Sequence, residues 1–175
     1  PLDEVKQLFK VLTQSGPEYP EFDIRGTIAV LERISALADI PQSEYVPCHN
    51  DLLADNFILV ADRESYREPV YLIDWEYAGM NTPYYEISDM FQEILAPREI
   101  EEKILRLYWQ DRNMDEHLLK TDMLKPFPDI YWFLWSLIQL TISNIEFDYY
   151  NYGKIKYETA QGNIRMLREL YGLGV

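Results

Sequence analysis

Two short runs rich in β-branched and aromatic residues, 56–61 (NFILVA) and 70–75 (VYLIDW), sit in a chain whose other apolar residues recur at helical spacing. Any fold for this sequence must therefore bury one small β element among helices. The polar stretch 63–69 between the runs predicts a hairpin loop, and 45–48 predicts a further short extended piece. Upstream, Leu2, Val5, Leu8 and Leu12 mark one helix, and Gly16-Pro17 and Pro20 end it. Asp23 is placed to cap a second helix whose face is Ile24, Ile28, Leu31, Ile34 and Leu37, closed by Pro41. After Pro83 the pattern is helical to the end. Breaks are predicted at Ala96-Pro97, 113–115, 125–128 and Gly153. The last helix should present Ile155, Ile164, Leu167 and Leu170 and stop near Gly172. No linker is long enough to divide the chain, so residues 1–175 are expected to form a single domain, mainly α with a small β-hairpin (α+β).

Composition narrows the function. An apolar share of 47% with 14% aromatics is globular and excludes general disorder. The net charge of −14 comes without a basic patch or stripe, which argues against nucleic-acid binding; it suits cationic ligands and divalent metals, but on its own it reads as acidity that keeps the chain in solution. The single cysteine, Cys48, rules out an internal disulfide and gives no sign of an oxidising compartment, so a cytoplasmic location is expected. Residues 130–145 carry no charge, but the run is shorter than the roughly 20 apolar residues a membrane span needs. It also contains Ser136, Gln139, Thr141, Ser143 and Asn144, so a helix buried inside the protein is expected. The chain begins at Pro1 without a methionine, as a processed chain or a fragment would.

The chemistry concentrates in Cys48-His49-Asn50-Asp51-Leu52-Leu53-Ala54-Asp55-Asn56, where His-x-Asp is followed by four residues and an asparagine. That spacing is the one in the catalytic loop of protein kinases. A second acid, Asp74, ends the second apolar run. Phosphoryl transfer to an alcohol needs a carboxylate to orient the hydroxyl and accept its proton, and Asp51 suits that task. Mg²⁺ takes hard oxygen ligands, and Asn56 and Asp74 offer an amide oxygen and a carboxylate. Each residue alone has an ordinary structural explanation; the ordered set, with a hairpin inside it, points to a kinase. His49 is expected to hold the loop by hydrogen bonding, Cys48 to be small and buried, and His117, in a polar segment, to be solvent-exposed.

CHNDLLADNFIL (48–59), LIDWEYAGMN (72–81) and WFLWSLIQLTISNIEFDYYNY (132–152) resemble the choline/ethanolamine kinase family, within the wider group that includes aminoglycoside phosphotransferases. The resemblance implies a protein-kinase-like fold, with Asp51 as catalytic base and Asn56 and Asp74 as Mg²⁺ ligands. It also implies Glu93, Trp132 and Trp135 at an alcohol pocket; Tyr152 is expected to join them as a cage wall, and His49 and Glu76 are expected to support the loop. ATP and Mg²⁺ would be the cofactors, and choline or ethanolamine the substrate. An aromatic cage suits a quaternary ammonium, which has no N–H to donate and is held through cation–π attraction. Tyr149 and Tyr150 are further candidates for cage walls.

The sequence departs from the family pattern in three ways. Asp55 stands where glycine often precedes the metal-binding asparagine, and aspartate tolerates a left-handed backbone there. Glu86 stands where aspartate is usual, which alters a hydrogen bond supporting the loop. No glycine-rich G-x-G-x-x-G loop occurs among the seven glycines, and nothing before Tyr45 predicts a five-stranded sheet. The chain is therefore expected to be a C-terminal lobe that lacks its nucleotide lobe and is inactive alone. The competing expectations are an aminoglycoside or sugar phosphotransferase, and a non-catalytic choline-binding or interaction module.

Overall fold

The upstream periodicity becomes α1 (Leu2–Ser15) and α2 (Ile24–Ala38) in the computed structural model, which describes residues 1–61, 69–110 and 113–175. The Asp23 carboxylate accepts from the Gly26 N–H and so caps α2 as its sequence position predicts. Two small antiparallel sheets follow. β1 (Val46–Cys48) pairs with β4 (Gly79–Asn81), and β2 (Phe57–Leu59) pairs with β3 (Val70–Leu72). The second pair is the predicted hairpin, with Phe57 opposite Leu72. The first pair was not foreseen, because Gly79-Met80-Asn81 carries no β-branched residue; Cys48 opposite Gly79 fixes its register. The loop expected at 63–69 falls, except for Pro69, outside the described residues.

Thr82 caps α3 (Pro83–Ile94), with Pro83 in its first turn. Then come α4 (Arg98–Trp109), α5 (Met114–Leu124), α6 (Pro126–Ile142) and α7 (Tyr149–Tyr171). The core gathers Val5 and Leu12 of α1, Leu31 and Ile34 of α2, Phe127, Phe133, Leu134 and Leu137 of α6, and Ile164 and Leu167 of α7. A smaller cluster of Ile87, Phe91, Leu105 and Met114 joins α3, α4 and α5. Beside it lies a buried ionic network. Lys125 contacts Glu101 at 2.7 Å and Asp122 at 2.8 Å, and Arg98 reaches Asp122 at 2.9 Å.

Several expectations are corrected. Gly153 does not break a helix but lies inside α7, where a Cβ would come 2.0 Å from Ser136 Oγ; glycine is there so that α7 can lie against α6. The true break is 143–148, ended by the Asp148 cap. On α7, Ile164 and Leu167 are buried, but Ile155 and Leu170 face solvent. The break at 125–128 shrinks to Lys125 alone, which keeps a helical backbone. Residues 130–145 are buried only in their first part, since Leu140, Ile142 and Ile145 are exposed. His117 is buried rather than exposed: it stacks on Trp109 at 4.2 Å and contacts the Tyr84 hydroxyl at 2.9 Å. Among the described residues no helix is long and apolar enough to cross a membrane.

Candidate active site

The segment from Cys48 to Asn56 is short of regular backbone pairing, so its shape must come from side chains. Glu86, in the first turn of α3, accepts the His49 N–H at 2.7 Å and the Asn50 N–H at 2.8 Å through its two oxygens. The longer glutamate thus reaches two successive amides. Asn50 adopts a left-handed backbone (φ 63°). It is pinned there by its own Nδ2 donating to the Tyr77 carbonyl and by Asn81 Nδ2 donating to its Oδ1. Asp55 sits instead in a single 3-10 turn without a left-handed backbone, so the tolerance invoked for it is not needed. One turn further along α3, Asp89 accepts the Leu52 N–H at 2.8 Å.

His49 is buried, with Nε2 2.8 Å from the Ile73 carbonyl and its ring 4.8 Å from Trp75. It therefore ties the loop to the residue before Asp74. Asn56 donates through Nδ2 to the Asp51 carbonyl at 3.0 Å and to Asp51 Oδ2 at 3.3 Å. The Asn56 carbonyl in turn accepts the Ile73 N–H at 3.0 Å, extending the hairpin up to Asp74. Asp74 is exposed and left-handed (φ 65°). Loop and hairpin end are thus joined by two hydrogen bonds from residues that flank or belong to the candidate set.

Burial pushes the Asp51 carboxyl up; the Asn56 hydrogen bond opposes this, and the negative charge of Glu93 adds to it. A raised carboxyl is a better proton acceptor than an ordinary one. Both Nδ2 contacts of Asn56 lie within the loop, and among the described residues none is made to its Oδ1. Among the described residues, no group of three or more His, Cys, Asp or Glu is placed to hold a metal. One amide oxygen with one carboxylate nevertheless fits Mg²⁺, which keeps several waters and takes phosphate oxygens. Cys48 is buried and its thiol is pushed up to about 12, which makes it inert.

Asp51 also lines a cavity of about 340 Å³ together with Glu76, Tyr77, Glu93, Trp132, Trp135, Phe147, Tyr149 and Tyr152. Its rings pack edge to face: Tyr77 against Trp132 at 5.4 Å, Trp132 against Trp135 at 5.6 Å, and Trp135 against Tyr149 at 5.7 Å. The tryptophans come from α6 and the tyrosines at 149 and 152 from α7, so the helix pair joined at Gly153 builds one wall. Burial, and next the charge of Glu93, raise the Tyr152 phenol. Glu93 is not a free carboxylate: Lys156 contacts it at 2.5 Å, and the same ammonium lies 3.8 Å from Asp129.

The structure thus brings Asp51, Glu76, Glu93, Trp132, Trp135 and Tyr152 to one cavity, and ties His49 and Asn56 to the loop beside it. Asp74 stands at the hairpin end, next to Ile73. Tyr150 turns away and bonds Glu21. Sequence reasoning missed Tyr77, Phe147, Lys156 and Asp89. For Asp89 a signal existed: Glu86, Asp89 and Glu93 recur at three and four residues on a helix that also buries Ile87 and Phe91.

A family model described as Choline/ethanolamine kinase matches residues 3–117. A probable ethanolamine kinase of Arabidopsis thaliana is 29% identical over 152 residues, 77% of this chain and 39% of that protein. Protein LicA of Haemophilus influenzae is 27% identical over 179 residues, 96% of this chain and 60% of LicA. Among solved structures, a choline/ethanolamine kinase family protein from Mesorhizobium loti superposes with a TM-score of 0.78 at 25% identity, over 94% of this chain and 54% of that one. The chain spans about half the length of the relatives it matches. With residues 48–56 inside the matched region, the chain belongs to the choline/ethanolamine kinase family.

Proposed function

We propose that the chain is the C-terminal lobe of an ATP-dependent kinase that phosphorylates the hydroxyl of choline or a related amino alcohol. One observation carries this: Asp51 forms part of the wall of an aromatic cavity. An ammonium group among Tyr77, Trp132, Trp135 and Tyr152 would gain up to about 2 kcal/mol from each well-placed, desolvated ring. The short carbon chain of an amino alcohol would then bring its hydroxyl to Asp51. Asp51 orients that hydroxyl and accepts its proton as the oxygen bonds to the γ-phosphorus of ATP; the bond to the bridging oxygen breaks and ADP leaves. Asn56 and Asp74 would hold Mg²⁺, which when bound neutralises phosphate charge.

The nucleotide would be supplied with a second, upstream lobe. The sheet region leaves Ile58, Leu59, Val70, Ile73, Trp75 and Met80 exposed. A cytoplasmic location and inactivity of the isolated lobe belong to the same proposal. Ring-lined walls favour an amino alcohol over a polyamine antibiotic, because the deepest carboxylate, Glu93, is already paired with Lys156. The name of the Arabidopsis relative favours ethanolamine, and the cage favours N-methylated amines, so both are substrates to assay.

The test is turnover of the intact protein with Asp51→Asn. The asparagine cannot accept the proton, and kcat is expected to fall by about 100-fold or more, with the KM for the amino alcohol little changed. Near-normal turnover would sink the mechanism.

A further inference from the structure

Asp89 takes no place in the chemistry above, yet it is fully buried on the helix face that carries Glu86 and Glu93. Its two oxygens serve two different structures. Oδ2 accepts the Leu52 N–H at 2.8 Å, and Oδ1 accepts the Trp132 indole N–H at 3.3 Å. The first donor belongs to the peptide unit that follows Asp51. The second belongs to a cage wall on α6. The Asp51–Leu52 peptide is therefore gripped from both sides: its carbonyl accepts from Asn56 Nδ2 at 3.0 Å, and its N–H donates to Asp89. Glu86 holds the His49 and Asn50 amides, so backbone N–H groups on both sides of Asp51 are anchored to carboxylates of α3.

We propose that Asp89 is a positioning residue that sets the catalytic loop against the amine cage, fixing the distance between the bound ammonium and the Asp51 carboxylate. This rests on the kinase reading for its effect on turnover, but the grip itself does not. An amino alcohol is rigid enough in reach that an ångström of drift between cage and base misplaces the hydroxyl. Misplacement of that size costs about 100-fold in rate. Burying a carboxyl at this position is costly unless it is hydrogen-bonded. The fold therefore places a residue here that packing alone would not choose.

The experiment uses the intact protein with Asp89→Ala and Asp89→Asn, with Trp132→Phe to remove the indole N–H while keeping a ring. Three readouts are taken: kcat and KM for choline and ethanolamine, melting temperature, and hydrogen exchange of the 48–56 segment. Asp89→Ala is expected to melt within a few degrees of the parent, lose about 10- to 100-fold in kcat, and exchange its loop amides at least tenfold faster. Asp89→Asn keeps an acceptor for Leu52 and should recover most of the kcat. Its recovery distinguishes positioning from a mere packing role, and it stands in if the alanine variant does not fold. In the Trp132→Phe background, where only the Leu52 contact of Asp89 remains, the effect of Asp89→Ala on kcat and on loop exchange should persist. Unchanged loop exchange, or unchanged kcat in a folded Asp89→Ala, overturns the proposal. A parent protein that phosphorylates neither amino alcohol would sink the functional reading instead, and loop exchange alone would then decide the grip.

Discussion

Two carboxyl groups, Asp89 and Asp129, are buried beside the cavity, and burial pushes them to about 8 and about 7 respectively. For Asp89 the Leu52 N–H opposes the rise and the Glu93 charge adds to it; for Asp129 the Lys156 ammonium opposes it. Unfolded, both groups would titrate at an ordinary value of about 3.9. A raised folded value means that the fold favours the neutral acid. The stability from these groups is therefore full below about pH 4 and is lost as pH rises through about 7 and 8. The melting-temperature contribution of these groups should fall between about pH 5 and about pH 8, measured by circular dichroism, and Asp89→Asn should flatten the fall; an equal slope in the variant would contradict this. No residue of this site declared itself alone; the ordered set did. Asp51, Asn56 and Asp74 stand out because a spacing fixes them. Glu86 and Asp89 do not, because their task is to receive backbone N–H groups, and which amides lie near them is a property of the folded loop. His117 misled because Glu116 and Asp115 beside it signal solvent, while its own ring is held by Trp109 and Tyr84.

Elements set the cage. α6 and α7 pack so closely at Gly153 that a methyl there would meet Ser136 Oγ at 2.0 Å and Ser136 Cβ at 3.2 Å. Gly153→Ala should therefore cost about 1–3 kcal/mol, as overpacking does, and lower the melting temperature by several degrees. It should also loosen the cage, because Trp135 and Tyr149 meet across this helix pair. Ser136→Ala should recover part of the loss; a Gly153→Ala protein with parental stability would show that the helices are free to part. From sequence, glycine among polar residues looked like a helix break. Its actual reason is a contact with a residue seventeen positions earlier, which local patterning does not encode. The hairpin of β2 and β3 was legible because its residues favour strands. The β1–β4 pair was not, since β4 is held by register with β1 and by the capped start of α3.

At the scale of the whole molecule, helices form a core on which one short loop and one hairpin are mounted, and Ile58, Leu59 and Val70 of the hairpin are exposed. The charge of −14 and a ring-lined cavity suit a small organic cation, in keeping with the proposed reaction. The fold class, the loop and most of the cage were legible because helical spacing and motif spacing are both local. The packing of acid on amide that shapes the loop was not, because it joins residues more than thirty positions apart. The most direct measurement is a titration of the intact protein, with Mg²⁺ and a non-hydrolysable ATP analogue present, by choline and by ethanolamine, following tryptophan fluorescence. A saturable change with at least one of them, lost in Trp132→Ala, is the predicted result. A flat response to both, with a saturable response to an aminoglycoside, would contradict the account.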